Sequence, residues 1–259
     1  MCSEHDDPKR GGVIVPARDG KRHGRGVRVF ASGARYEGDW FQGEMHGFGV
    51  YVGPGPTGER YEGGWVAGRR QGRGVASYGN STGGKYVCPL GRLHRGSAGR
   101  CIYDGEWVSN RFHGHGKFIW ADGRSYEGEF LAGQKHGWGS EVVMAQDNLK
   151  REVRQRGAAG MVNRVMRYEG QYDEGIRTGR GRLYMATGDV LEGRIVHGRL
   201  EGPVKYTFAS ERVSYAMFKN GSRDRWLKGD EVREVLAAEA TLGVLGHATL
   251  DASAIGAAL

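Results

Sequence analysis

The 259-residue chain has no run of 18 apolar side chains, and its mean hydropathy is −0.58, so nothing in it suits a bilayer-crossing helix. Its opening, MCSEHDDPKR, is polar and lacks the apolar stretch of a secretory signal, so the expectation is a soluble, intracellular protein. Cysteine is scarce: Cys2, Cys88 and Cys101 form an odd set without CxxC spacing, which argues against a disulfide framework and against a zinc site. Glycosylation sequons at Asn80 and Asn220 mean little without export. Proline occurs only 6 times, and a hydrophobic share of 38% is low for a thick, closed core. Glycine is in excess, with 47 residues or about 18% of the chain against a usual ~7%. That content excludes an α-rich domain, because glycine inside a helix costs about 1 kcal/mol each. Collagen is excluded as well, since the glycines do not fall at every third position. The net charge of +8 suits an acidic partner without saying which.

The glycines carry a period. Triplets stand at Tyr36-Glu37-Gly38, Tyr61-Glu62-Gly63, Tyr103-Asp104-Gly105, Tyr126-Glu127-Gly128, Tyr168-Glu169-Gly170 and Leu191-Glu192-Gly193. The steps between them are 25, 42, 23, 42 and 23 residues, and each 42 is a 23-residue unit plus an insertion of 19. Degenerate units at the ends keep Gly20, His23, Gly24 and Gly26, or Phe218 and Gly221, which makes about eight units. Counted from the tyrosine, position +4 is apolar and mostly aromatic: Trp40, Trp65, Trp107, Phe130, Tyr172, Ile195, Phe218. Position +7 is glycine except at Asn110, the substitution that best tolerates positive φ, so +7 reads as a left-handed turn residue. A Gly-x-Gly pair follows at +11 and +13, and another glycine often stands three before the next tyrosine, as at Gly33, Gly58, Gly123 and Gly188.

Each unit reads as a β-hairpin. RYEGDW alternates as a strand does, FQGEMHG is a polar turn, and GFGVYV returns. Glycines at fixed phase inside both strands predict flat spaces over which the rings lie. One hairpin is marginal alone, so the units must stack to bury their aromatic side. The pattern YEGDWFQGEMHGFGVY resembles the MORN (membrane occupation and recognition nexus) repeat over residues 20–221. The resemblance implies an all-β fold: an elongated single-layer antiparallel sheet of about eight tandem hairpins that scaffolds other proteins, often in cytoskeletal, flagellar or membrane-contact assemblies. Residues 1–19 read as a flexible N-terminal segment, and 222–259 as a helical tail in which Asp230 is the N-cap and Val232, Val235 and Leu236 share a face. That helix is expected to cover the last sheet edge or, alternatively, to dock into a neighbour. The unit at Leu191 departs most, with Pro203 and Val204 in the Gly-x-Gly region, and the sheet is expected to curl or end near it.

Candidate interaction residues fall into two sets. The aromatic ladder of Tyr36, Trp40, Tyr61, Trp65, Tyr103, Trp107, Tyr126, Phe130, Tyr168 and Tyr172 is core, and it also offers a groove to a partner helix or peptide. The insertions, near 79–100 and 141–165, carry Arg92 and Arg95, and Lys150, Arg151, Arg154 and Arg156; AQDNLKREVRQR in the second suits a helix ending at Gly157. A further basic cluster, Arg18, Lys21, Arg22, Arg25 and Arg28, suits an acidic protein surface or anionic lipid headgroups.

Chemistry finds little support. His23, His46, His113 and His136 share position +10, but Gln71, Thr178 and Glu201 fill the same slot, so it is a polar turn position and not a metal row. GNSTGGK is one residue short of a phosphate loop, with Tyr86 where Ser or Thr would hold magnesium. The recurring glutamates Glu37, Glu62, Glu127, Glu169 and Glu192 belong to the repeat and read as structural. No cofactor, no metal and no specific nucleic acid are expected. The reading is a non-enzymatic scaffold in a larger assembly, of flagellar or basal-body cytoskeleton, with self-association open. The alternatives are a module binding anionic lipid and an accessory subunit of an enzyme complex.

Overall fold

The computed structural model describes residues 17–55, 58–79, 100–143 and 164–246. A small hairpin of β1 (Ala17–Arg18) and β2 (Lys21–Arg22) precedes one sheet of 15 strands. Strand β3 (Gly24–Val29) opens that sheet. The next hairpins are β4 (Arg35–Phe41) with β5 (Glu44–Val52), β6 (Arg60–Val66) with β7 (Arg69–Tyr78), and β8 (Cys101–Val108) with β9 (Arg111–Ile119). They are followed by β10 (Ser125–Leu131) with β11 (Gln134–Val142), β12 (Val165–Asp173) with β13 (Ile176–Met185), and β14 (Val190–Val196) with β15 (Arg199–Thr207). Finally, β16 (Val213–Lys219) and β17 (Ser222–Trp226) lead into helix α1 (Asp230–Gly246). Each strand pairs with its neighbours in sequence, so the sheet is one antiparallel meander from β3 to β17.

Its register places a glycine opposite a glycine on strand after strand: Gly26, Gly38, Gly49, Gly63, Gly74 and Gly105 form one line across β3–β8. The line runs on through Gly116, Gly128, Gly139, Gly170 and Gly181 to Gly193 on β14. The two glycines of each Gly-x-Gly serve different ends. Gly47 sits in a β-bulge with φ of 59°, a left-handed conformation that L side chains resist. Gly49 leaves room for a ring: a Cβ there would lie 2.3 Å from the Tyr36 hydroxyl oxygen.

The hairpin tips show what composition missed. Both central residues are left-handed, for example Gln42 (49°) with Gly43 (89°) and Ala67 (48°) with Gly68 (72°), which is the type I′ turn that matches strand twist. Only the second of these positions announces itself by glycine. The amide of the second tip residue then donates to the preceding unit, as Gly43 does to the Arg22 carbonyl and Gly68 to that of Met45, each at 2.9 Å. Alanine holds a left-handed conformation at a cost of about 1 kcal/mol, so Ala67→Asn is expected to stabilise the protein by roughly 0.5–1 kcal/mol, read as a higher denaturation midpoint in urea.

Of the two expectations at Leu191, the structure corrects the one that the sheet ends. The sheet does not end there; β15, β16 and β17 extend it, with Val204 opposite Gly193. Leucine in place of tyrosine leaves space that Val204, fully buried, fills from the second strand. Strand also continues past the expected repeat boundary, to Trp226. Asp230 lies in the first turn of α1, and the capping contact is made by Glu231, which accepts from the Lys228 amide at 3.4 Å and pairs with Arg225 at 2.6 Å. Val232 and Val235 are half-buried and Leu236 is 46% exposed.

Candidate interaction surfaces

Strand alternation divides the side chains into two faces. Along β4 the buried positions are Tyr36, Gly38 and Trp40, while Arg35, Glu37, Asp39 and Phe41 point the other way. On the aromatic face, each tyrosine ring lies over its own hairpin's glycine; Tyr36, Tyr61, Tyr103 and Tyr126 are each met edge-on by two aromatics and, among the described residues, Tyr168 by Tyr172 alone. Tyr36 contacts Trp40 at 5.1 Å and Trp65 of the next unit at 5.4 Å. The same contact bridges both insertions, as Tyr61 with Trp107 (5.1 Å) and Tyr126 with Tyr172 (5.2 Å). The polar tips are satisfied by backbone. The Tyr36 hydroxyl donates to the Asp39 carbonyl at 3.0 Å, and the Trp65 and Trp107 indoles donate to the Gly49 and Gly74 carbonyls at 3.2 and 3.0 Å. Burial pushes the Tyr61 phenol up to about 12 and Tyr36, Tyr103 and Tyr126 higher still, as expected of rings that keep their proton.

The opposite face is charged and ion-paired. Glu37 pairs with Arg35 and Glu62 with Arg60 at 2.6 Å, Glu127 with Lys117 at 2.8 Å, Glu192 with Arg182 at 2.9 Å, and Glu169 with Arg167. The structural reading of those glutamates therefore has its geometry. Acidic side chains at +3 hold the bulges in place. Asp39, Glu106 and Glu129 accept the bulge amides of Phe48, His115 and Trp138 at 2.9–3.0 Å, and Gln171 does the same for Arg180. Between these charges stand apolar side chains, with Phe41 51%, Phe48 56%, Leu131 47% and Trp138 46% exposed. A shallow depression of about 460 Å³ lies here, lined by Phe48, Arg60, Glu62, Arg73, Val75 and Asp104.

The family described as MORN repeat matches residues 18–35, 36–55, 61–83, 103–123, 126–141 and 168–190. The chain belongs to the MORN-repeat family. The matched segments stop at 190, whereas the MORN hairpin geometry continues through β17. Alsin of Rattus norvegicus and of Homo sapiens is 32% identical over 91 residues, 35% of this chain and 5% of that protein. ALS2 C-terminal-like protein of Bos taurus is 29% identical over 103 residues, 40% of this chain and 9% of that protein. The chain thus spans less than a tenth of the length of these relatives. MORN repeats mark a protein-interaction or membrane-associated role. Among the described residues no helix is long and apolar enough to cross a membrane, and no three of His, Cys, Asp and Glu converge as metal ligands would.

Within the MORN sheet the ten ladder residues sit in the core, none more than 4% exposed. Their surfaces are spent on one another, and among the described residues the half-buried rims of this side include Phe30, Met45, Tyr51, Leu183, Tyr206 and Trp226. The insertions leave after Tyr78 and Val142 and return at Cys101 and Val165, both on the long edge opposite the hairpin tips. Arg92, Arg95, Lys150, Arg151, Arg154 and Arg156 lie outside the described residues, as does the GNSTGGK segment after Gly79 and the helix read in the second insertion. From the N-terminal basic cluster, Arg22 lies over Trp40 at 5.5 Å and Arg28 over Phe30 at 4.8 Å, so both brace aromatics. His23 and His46 flank Phe41 at 5.4 and 5.5 Å, and His136 approaches Asp173 at 3.5 Å.

One cluster on the aromatic face escaped the sequence reading. Glu141 occupies position +15, where other units place Tyr51, Ala76, Phe118, Leu183 and Tyr206. Its carboxylate takes Lys135 at 2.6 Å, and Arg177 and the Tyr172 hydroxyl at 2.8 Å each. Lys135 in turn lies within 5.3 Å of the rings of Trp120, Tyr126 and Tyr172. Burial pushes Glu141 up, but Lys135 and Arg177 outweigh it and hold the carboxyl down to about 2; burial also lowers the Lys135 ammonium against the pull of Glu141. Aligning the units on +15 would have exposed this lone acid among apolar side chains.

Proposed function

We propose that this chain is a non-enzymatic protein–protein interaction scaffold within a larger assembly, of the flagellar or basal-body cytoskeleton. The observation that carries the scaffold reading is the spending of the sheet's aromatics on one continuous internal ladder, which leaves a long, ion-paired outer face with recurrent exposed apolar side chains. A repeating platform of that length presents several contact sites at fixed spacing, and the insertions, with Arg92, Arg95, Lys150, Arg151, Arg154 and Arg156, add contacts along one edge. The buried side chains serve packing, and no set of acid, base and nucleophile is needed to explain them. The cytoskeletal address rests on the family resemblance alone. Cell fractionation tests the whole reading: the chain is expected to stay with the detergent-insoluble cytoskeleton and to leave liposomes of phosphatidylserine and phosphatidylcholine unbound. Salt-sensitive co-sedimentation with those liposomes, together with detergent release, would establish the lipid-binding alternative instead.

A further inference from the structure

Arginine faces arginine across β13 and β14. Arg180 and Arg194 are directly opposite in the register, a placement that holds Cβ atoms about 5 Å apart and is destabilising for like charges. Both are exposed, and among the described residues no acid lies within ion-pair distance of either. Two acids flank the pair in the register: Glu192 pairs with Arg182, and Glu201, opposite Arg194 on its other side, accepts the Asn220 amide at 2.8 Å through one oxygen.

The repeat explains why an arginine is tolerated here. Position +3 carries the acid or amide that accepts the +12 amide in four units, but in this one +12 is Pro203, which has no N–H to offer. Arg194 is therefore released from the repeat's structural duty, and the charge it brings adds to repulsion. Lys205, on the strand beyond Glu192, adds a further cation on the same face.

The same row continues to Trp138. Trp138 is opposite Gln171, whose side-chain oxygen holds the Arg180 amide at 3.0 Å, so Trp138, Gln171, Arg180 and Arg194 cross β11–β14 in order. The indole is 46% exposed. At a strand spacing of about 4.8 Å, it stands roughly 10 Å from Arg180 and 14 Å from Arg194.

We infer that this row is a docking site for an acidic peptide segment of a partner protein, with the carboxylate or phosphate groups between Arg180 and Arg194 and an apolar side chain three or four residues away on Trp138. The spacing follows from about 3.3 Å per extended residue. Two guanidinium forks side by side offer bidentate hydrogen bonds to such groups. A membrane fits less well, because Glu169, Asp173 and Glu192 share this face and a flat anionic surface would meet them too. This inference names one contact of the proposed scaffold and rests on that reading.

The test uses the full chain and a fluorescein-labelled peptide, LSGSEEE, with LSGSQQQ and GSGSEEE as companions. LSGSEEE is expected to bind, with affinity falling steeply as salt rises, LSGSQQQ not at all, and GSGSEEE several-fold more weakly. Arg180→Glu is expected to reduce binding at least tenfold while raising the thermal midpoint by about 1–2 °C, since it converts a like-charge pair into an opposite-charge one. Trp138→Ala is expected to reduce binding several-fold. Equal binding by LSGSQQQ or by the Arg180→Glu protein overturns the proposal, as does a lowered midpoint. Binding of phosphatidylserine vesicles, but not of LSGSEEE, through Arg180 and Arg194 also overturns it. A chain that ignores the peptide but stays with the cytoskeleton loses only this surface, whereas one released from the cytoskeleton loses the scaffold reading too.

Discussion

Gly139→Val is expected to cost at least 3 kcal/mol, and adding Tyr126→Leu is expected to recover 1 kcal/mol or more of that loss. A Cβ at residue 139 would lie 2.4–2.6 Å from Tyr126 ring and hydroxyl atoms, well inside contact distance. The ring cannot step aside, because its hydroxyl is bonded to the Glu129 carbonyl at 2.9 Å and Phe130 and Tyr172 meet it edge-on. Overpacking a closed site ordinarily costs about 1–3 kcal/mol, and here the strand backbone is on the other side. The protein contains the rescued arrangement already: Leu191 stands at the tyrosine position, and Val204 stands where the glycine would be. Denaturation midpoints for the two single variants and the double give the coupling directly. Simple additivity of the two losses would show that the glycine line is not there for the ring.

Glu141→Gln is expected to destabilise the sheet by about 3 kcal/mol, the low end for a broken buried pair, because it leaves the half-buried Lys135 and Arg177 without their anion. Replacing the whole cluster with Lys135→Met, Glu141→Leu and Arg177→Met should return most of that loss, since Met45, Leu183 and Leu200 hold the corresponding positions in other units. The carboxyl also sets an acid limit. Its folded pKa of about 2 lies below the ordinary 4.5, so its stabilisation is complete above about pH 4.5 and is lost as pH falls towards 2. The difference amounts to about 3 kcal/mol. Subtracting the stability–pH curve of Glu141→Gln from that of the parent protein should isolate that step. A flat difference across this window would remove the ion cluster as its cause.

The hairpin unit was legible because its constraints recur at fixed phase. Tyr36, Trp40, Gly43 and Gly49 announce the repeat through their kin in other units, and a position that must be bare or left-handed leaves little choice of residue. Gln42 and Ala67 gave no such signal. Their left-handed conformation is imposed by the two-residue turn, and side chains that tolerate it poorly are held there by the strands on either side.

What the amino-acid order determined alone was periodicity: tandem hairpins, a ring on glycine, one antiparallel layer, and insertions between units. Which ring surfaces remain open needed the sheet itself, because Tyr36 meets Trp65 only once β4 and β6 share a face. Likewise, Glu141 finds Arg177, 36 positions away, and Arg180 confronts Arg194, through pairing between different units. Those encounters depend on register across strands, and register is a property of the assembled sheet: a one-residue slip would move each of these side chains to the other face.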